Sequence, residues 1–318
     1  MTFENSWQPT ASFDIIKQRA TLLRNIRLFM ERRQILEVDT PVLSHYANSD
    51  PYIQSLKTAN VFEKDTSLYL HTSPEFCMKR LLAAGSGSIY QIAHVFRDEE
   101  SGKKHHTEFT MLEWYRTGFD YYQLMDEVAE LLLDIGLTKP DKMTYAEAFL
   151  KTVQIDPHTA NIKQLQEISG QHGWGSDSDD HHALLDYIFS EAVIKKLDNS
   201  QPLIIYDYPE FMAALATIKP GIPRVAERFE LFINGMEIAN GFNELCDADE
   251  QRERFETEVN IRKDKGLSEL PIDKHLLAAL KFGLPESSGV ALGLDRLLMV
   301  LSGKNDIKDV VAFTLDNN

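Results

Sequence analysis

The chain is short of positive charge, of cysteine and of long apolar runs, and each shortage removes a class of protein. Lysine and arginine total 33 against 49 aspartates and glutamates, a formal net charge of −16. Proteins that grip a nucleic-acid backbone present a basic face, because phosphate neutralisation dominates such affinity. Long-range attraction for RNA is therefore not expected. The two cysteines, Cys77 and Cys246, cannot build a disulfide framework, and a reducing cytoplasm is the economical compartment. No apolar run approaches the ~18 residues of a membrane helix, and no basic-then-apolar N-terminus marks a signal peptide. No internal repeat is visible. What is present is a globular composition, 43% apolar and 26% charged over 318 residues, enough for one large domain or two ordinary ones.

Along the chain, residues 1–11 are polar and aperiodic, a loose arm. Ser12 is an N-cap candidate for a helix carrying Ile16, Ala20, Leu23, Ile26 and Met30 on one face, with Arg32 and Arg33 at its negative end. Ile35 to Leu43 reads as extended, and Pro41 restricts it to an edge or interface. Ser73 and Pro74 read as N-cap and first position of a short helix ending at Gly85. A strand from Ile89 to Val95 follows. Residues 120–200 are mostly helical in period, with a polar loop from Gly173 to Asp180. Leu203 to Tyr206 is a buried strand, and residues 224–246 form two strands about the Asn234-Gly235 turn. A charged helix spans Asp249 to Lys265. Gly289 to Asp295 is a glycine-punctuated strand running into a helix from Arg296. Strands joined mainly by hairpins imply an antiparallel sheet with helices packed on it, an α+β fold.

Charge concentrates in the hairpin from His94 to Arg116. It reads Phe96-Arg97-Asp98-Glu99, a polar tip, then Glu108-Phe109-Thr110-Met111-Leu112-Glu113-Trp114-Tyr115. So many charges on a sheet face need neutralising partners, since unpaired buried charge is costly; the array suits ATP phosphates and a cationic small molecule together. Glu230 and Glu237 flank the Asn234-Gly235 turn and are expected to face each other, where paired oxygens suit Mg²⁺ with bound phosphates. Solvent-facing carboxylates on an edge hairpin are the alternative. Ser73-Pro74-Glu75 reads equally as an ordinary helix start. At Gly293-Leu294-Asp295-Arg296, glycine admits a ligand to the backbone and Arg296 could stack on a purine.

Three lookalikes are set aside. Asp177-Ser178-Asp179-Asp180-His181-His182 has metal-ligand residue types but reads as a solvated loop with an aspartate N-cap. Gly85-Ser86-Gly87-Ser88 lacks the lysine and spacing of a phosphate-binding loop. Cys77 has no histidine partner in its segment and reads as a small apolar residue.

Pro41, Phe96 to Phe109 and Gly289 to Arg296 resemble, in order, motifs 1, 2 and 3 of class II aminoacyl-tRNA synthetases. Phe109 to Tyr115 and Gly235-Met236-Glu237-Ile238-Ala239-Asn240-Gly241-Phe242-Asn243-Glu244-Leu245 are similar to the lysyl branch, and the likeness runs from about Ser12 to Ser302. Only 11 residues precede the first helix. An anticodon-reading OB-fold needs on the order of 100 residues, so it is expected to be missing. In that respect the chain resembles the elongation factor P (R)-β-lysine ligase family. The resemblance implies a class II catalytic domain over residues 12–318 with a helical insertion at about 120–200. It further implies activation of (R)-β-lysine or lysine with ATP and Mg²⁺, transfer to a lysine of elongation factor P, and a homodimer formed through motif 1. Neither tRNA nor a membrane is an expected partner.

Residue by residue, the resemblance assigns Arg97 to the substrate carboxylate and the ATP α-phosphate. Asp98 and Glu99 accompany it, Glu99 reading adenine or positioning Arg97. Phe109 and Arg296 would sandwich the adenine, with Ile238 and Gly293 beside the nucleotide, and Glu230 and Glu237 would hold Mg²⁺. Arg97, Glu237 and Arg296 are the expected catalytic residues. His105 and His106 could reach ATP. Ser73, Pro74, Glu75, Glu113, Tyr115, Asn240, Phe242, Glu244 and Ala291 would form the amino-acid pocket, where several carboxylates suit a substrate with two ammonium groups.

Three positions depart from the lysyl pattern. Gln34 stands where glycine is usual, His105-His106-Thr107-Glu108 replaces His-Asn-Pro-Glu, and Ala291 replaces glycine and would crowd the pocket against α-lysine. Two alternatives stay open at this level: a truncated lysyl-tRNA synthetase-like enzyme using α-lysine for tRNA or another acceptor, and a non-catalytic amino-acid-sensing subunit.

Overall fold

The computed structural model describes residues 7–60, 63, 66–98, 102–175, 178–197 and 201–315. Helix α1 (Phe13–Arg32) is capped as expected, Ser12 Oγ accepting from the Ile15 N–H at 3.4 Å. The arm before it is not loose along the whole of 1–11. Thr10 N–H donates to the Ala312 carbonyl at 2.8 Å and Ala11 is buried, while residues 1–6 lie outside the described residues.

Just beyond α1, Gln34 adopts φ 55°, the left-handed conformation that glycine takes without penalty. A β-carbon costs roughly 1–2 kcal/mol there. Gln34→Gly is therefore expected to stabilise the fold by about 1 kcal/mol, read as a higher urea midpoint at unchanged slope.

The chain then forms short strands β1 (Leu36–Glu37), β2 (Leu43–Ser44), β3 (Lys57–Ala59) and β4 (Ser67–Leu70), followed by helix α2 (Glu75–Ala83). Pro41 stays outside every ladder, and β1 is the edge strand of the main sheet. The start of α2 differs from expectation: Pro74 itself is the N-cap and no side chain caps the helix, so Ser73 is left to face the cavity described below.

Strands β5 (Ile89–Phe96) and β6 (Glu108–Thr117) make the charged hairpin. They lead to α3 (Tyr121–Asp134), β7 (Asp141–Thr144), α4 (Tyr145–Val153), α5 (Ile162–Gln171), α6 (His181–Ile188) and, after a π-helical turn, α7 (Ile194–Lys196). Asp180 caps α6 as expected. The remaining elements are β8 (Leu203–Pro209), β9 (Ile218–Lys219), β10 (Val225–Ile233), β11 (Met236–Asn243), α8 (Ala248–Asp264), α9 (Lys274–Gly283), β12 (Ser287–Gly293) and α10 (Leu294–Ser302). Asn234 and Gly235 take φ 52° and 65°, as the two-residue turn between β10 and β11 requires.

The main sheet has nine strands in the order β1-β5-β6-β12-β11-β10-β8-β7, with β9 beside β10. It is antiparallel except at its two ends, where β1–β5 and β7–β8 run parallel. One face is closed by α1, α3 and α10, whose apolar side chains pack on Leu112, Trp114, Val290 and Leu292. Helices α4 to α7 carry a second core with Tyr208 and Phe232. Because α3 belongs to the first core, the separate helical cluster begins at Tyr145 rather than near residue 120. Met78 and Leu82 of α2 pack with Phe255 of α8 and with α9. The fold class is α+β, as expected. No helix among the described residues is long and apolar enough to cross a membrane.

Candidate active site

A strand sends alternate side chains to opposite faces. With Leu112, Trp114, Val290 and Leu292 committed to the core, Met111, Glu113, Tyr115, Gly289, Ala291 and Gly293 must face the other way. They line a cavity of about 330 Å³. Strand register then assembles its floor in rows. One row runs Glu113, Ala291, Asn240, Glu230 across β6, β12, β11 and β10, and the next runs Tyr115, Gly289, Phe242, Arg228. Gly289 permits this convergence, since a β-carbon there would collide with the Tyr115 ring and the Glu244 carboxylate.

Of the expected site residues, Ser73, Glu75, Arg97, His105, His106, Phe109, Glu113, Tyr115, Glu230, Glu237, Ile238, Asn240, Phe242, Glu244, Ala291, Gly293 and Arg296 line this cavity. Pro74 and Asp98 do not. Pro74 caps α2, and Asp98 is exposed with its N–H donating to the Gln54 carbonyl at 2.8 Å. Glu99 lies outside the described residues.

At one end the cavity is acidic. Tyr115 Oη donates to Glu113 Oε1 at 2.7 Å, and Glu113 Oε2 is buried without a hydrogen-bond partner. Lys79, a residue the sequence reading passed over, is 1% exposed and bridges Glu75 at 2.7 Å and Glu244 at 2.6 Å. Burial alone would lower its pKa, but Glu244 and Glu75 outweigh that and raise it. Burial pushes both the Glu113 and Glu244 carboxyls up, with Glu75 adding to each; Tyr115 and Lys79 respectively oppose the shift. Two carboxylates thus contact one ammonium with a third beside them, a setting in which burial disfavours bare negative charge and a cationic ligand would be welcome.

At the other end, the Arg97 guanidinium lies 5.2 Å from the centroid of the Phe109 ring. Arg296 Nε donates to the Lys104 carbonyl at 3.1 Å and Nη1 to the Glu237 carbonyl at 3.0 Å. These in-plane bonds use the edge of the guanidinium and leave its faces for stacking on a purine. His106 Nδ1 donates to the Glu108 carbonyl at 2.6 Å, and its Nε2 is buried without a hydrogen-bond partner.

Glu230 and Glu237 do not oppose each other as expected. A register shift at Leu231/Phe232 places Glu230 across from Asn240 and Glu237 across from Phe232. Glu230 accepts from Arg228 and, at 2.8 Å, from Tyr208 Oη, so both its oxygens are engaged. Glu237 has no hydrogen bond on its carboxylate among the described residues and lines the same cavity. Magnesium takes one or two carboxylates plus phosphate oxygens. Both Glu230 and Glu237 line the cavity and fit that donor set, Glu230 being held in place by Arg228 and Tyr208.

A tie between the motifs carries no signal in the sequence. Arg19 of α1 pairs with buried Asp295 and donates to Thr110 Oγ1 at 2.6 Å, while Thr110 N–H donates to Asp295 Oδ2 at 2.7 Å. The start of α10 is thereby locked to β6. Glu258 and Asp50 line the cavity too, from segments with no motif signal. The lookalikes stay outside it: Cys77 is a half-buried thiol whose pKa burial raises, and no cluster of metal-binding side chains occurs among the described residues.

A mainly antiparallel sheet with a motif 2 hairpin, a motif 3 strand-helix and a nucleotide-sized cavity between them defines a class II synthetase catalytic unit. The family model described as tRNA synthetases class II (D, K and N) matches residues 7–317. Among curated relatives, an elongation factor P–(R)-β-lysine ligase from Vibrio cholerae is 47% identical over 316 residues, covering 97% of this chain and 98% of the relative. The protein of that name from Vibrio vulnificus is 46% identical, covering 96% and 97%. That from Haemophilus influenzae is 44% identical over the full length of both. The chain belongs to the class II synthetase family and, within it, to the elongation factor P–(R)-β-lysine ligases.

Proposed function

We propose that this protein activates (R)-β-lysine as an adenylate and transfers it to a lysine side chain of elongation factor P. The observation that carries the reading is the charge of the pocket. Glu75, Glu113 and Glu244 face a single cation, Lys79, which leaves room for two more ammonium groups. A diamino acid supplies both, and Phe242 offers its ring to the methylene chain. Arg97, in the same cavity, neutralises the substrate carboxylate and the α-phosphate as the carboxylate oxygen attacks and pyrophosphate leaves. Phe109 and the faces of Arg296 hold the adenine. Mg²⁺ held by Glu230 and Glu237 would neutralise the triphosphate. The reaction belongs in the cytoplasm, where ATP and elongation factor P are found together.

ATP–pyrophosphate exchange tests the first half-reaction: it should depend on (R)-β-lysine, and its absence with either lysine isomer would leave an amino-acid sensor as the better reading. Ala291 sits between Glu113 and Asn240 in the floor, where its methyl group narrows the space beside the amino-acid backbone. Ala291→Gly is expected to raise α-lysine exchange relative to β-lysine on the order of tenfold, the scale of one methyl group in a specificity pocket. An unchanged ratio would remove Ala291 from the account.

The surface around motif 1 favours a second copy. Leu28, Leu36, Val42 and Leu43 are each 36–56% exposed around the motif 1 segment. A homodimer that covers them fits, and sedimentation showing only a 36.3 kDa species would contradict it.

A further inference from the structure

The transfer step needs a proton acceptor, because the attacking lysine arrives as an ammonium ion. We propose that Glu258 of α8 receives that ammonium and takes its proton; the proposal rests on reading the cavity as a diamino-acid adenylate site.

Charge bookkeeping isolates Glu258. Glu75, Glu113 and Glu244 are balanced by Lys79 and the two ammonium groups of the substrate. Asp50 has buried Arg262 beside it, which donates to its carbonyl at 3.0 Å, and its own Oδ1 is used by the Tyr52 N–H at 2.8 Å. Arg254 is paired with Glu250 at 2.5 Å. Arg262 spends its donors on the Ser268 and Asp50 carbonyls and Gln54 Oε1, so Glu258 remains a carboxylate in the cavity wall that forms no ion pair among the described residues. The unpartnered, buried Glu113 Oε2 in the same cavity shows independently that the region is built for cationic ligands.

Position agrees with this assignment. Glu113 and Glu244 are buried at the floor, whereas Glu258 is half-buried in the wall and so more open to an incoming side chain. Its Oε2 accepts from the buried Ser49 hydroxyl at 2.5 Å, which fixes the carboxylate. The segment carrying Ser49 is itself held. Arg262 also donates to Gln54 Oε1 at 2.9 Å, and the Gln54 carbonyl accepts from Asp98 N–H on the motif 2 side. Burial pushes the Glu258 carboxyl up to about 7; Ser49 opposes this, Asp50 and Glu75 add to it, and Arg254 opposes it. Arg262 also faces the group. A carboxyl in that range both gives and takes a proton near neutrality.

The acceptor ammonium passes one proton to the Glu258 carboxylate as it leaves water, where desolvation weakens its hold on that proton. The neutral amine nitrogen then attacks the adenylate carbonyl carbon. The C–N bond forms, the bond from that carbon to the phosphate oxygen breaks, and AMP leaves with the electron pair. The second nitrogen proton goes to the departing phosphate.

Single-turnover transfer from the preformed adenylate to elongation factor P tests the assignment. In Glu258→Gln, transfer should slow by on the order of 10²–10⁴-fold, while ATP–pyrophosphate exchange persists and shows that the site is folded. Hydroxylamine, already neutral at pH 7, should still be acylated by the variant. The unaltered enzyme should gain transfer rate with pH until Glu258 is ionised and then level off, whereas the variant should continue to climb toward the pKa of the amine. Equal transfer rates in the two proteins would overturn the proposal. So would exchange falling in parallel with transfer, which would place Glu258 in the amino-acid site. Absence of exchange in the unaltered enzyme would instead defeat the underlying reading of the cavity.

Discussion

Arg97→Ala is expected to reduce adenylate formation by on the order of 10³-fold, the scale seen when a pre-positioned charge donor is removed from a transition state. The reason lies in the composition of the cavity. Glu75, Glu113, Glu244 and Glu237 all line it, so on the proposed reading a substrate carboxylate and an α-phosphate enter a field that repels both. Arg97 lines the same cavity, its guanidinium 5.2 Å from the Phe109 ring centroid. Arg228 is taken by Glu230, and Arg296 is held by the Lys104 and Glu237 carbonyls. Neither can move over without breaking those bonds. Exchange kinetics should show the loss mainly in kcat, because Arg97 acts most strongly on charge that develops as the α-phosphate is attacked. A loss confined to KM for the amino acid would restrict Arg97 to substrate binding.

Lys79→Met should have the largest effect on stability, about 3–5 kcal/mol, because it leaves buried Glu244 and partly buried Glu75 without their cation. Lys79 is 1% exposed and contacts Glu75 and Glu244 at hydrogen-bonding distance. The pH dependence has a definite sign. The raised pKa of Lys79 means that its contribution is fully present below the unfolded pKa and is lost as pH rises through the folded one. In the variant, Glu244 would have a folded pKa raised still further. Its penalty should then be small below the unfolded carboxyl pKa and grow as pH rises toward the folded one. Urea denaturation should therefore show a larger loss at pH 8 than at pH 5. A loss independent of pH would point to packing rather than charge.

The features legible in the sequence were those in which one strand or one turn decides the outcome. Glu113 and Tyr115 are two apart on β6, so they share a face whichever way the strand lies, and the Asn234-Gly235 turn fixes the β10–β11 hairpin. Gln34 announced its left-handed backbone by standing where glycine is usual. What escaped depended on register or on distant partners. The shift at Leu231/Phe232 sets Glu230 across from Asn240 rather than Glu237, and no local pattern signals it. Arg228 was nonetheless detectable in principle, two residues from Glu230 on the same strand face. Lys79 likewise sits one helical turn from Glu75, although its second partner, Glu244, is visible only in the fold. Ser49 and Glu258 meet from separate segments that carry no motif.

The central claim is that a lysyl-type adenylating site has been turned from RNA to a protein acceptor. Its most direct test is the intact mass of elongation factor P after incubation with this enzyme, ATP and Mg²⁺, with (R)-β-lysine or α-lysine supplied separately. The account predicts addition of a single β-lysyl group to one lysine, with (R)-β-lysine strongly preferred. Unmodified elongation factor P, in a mixture where the same enzyme forms adenylate and charges tRNA, would contradict it.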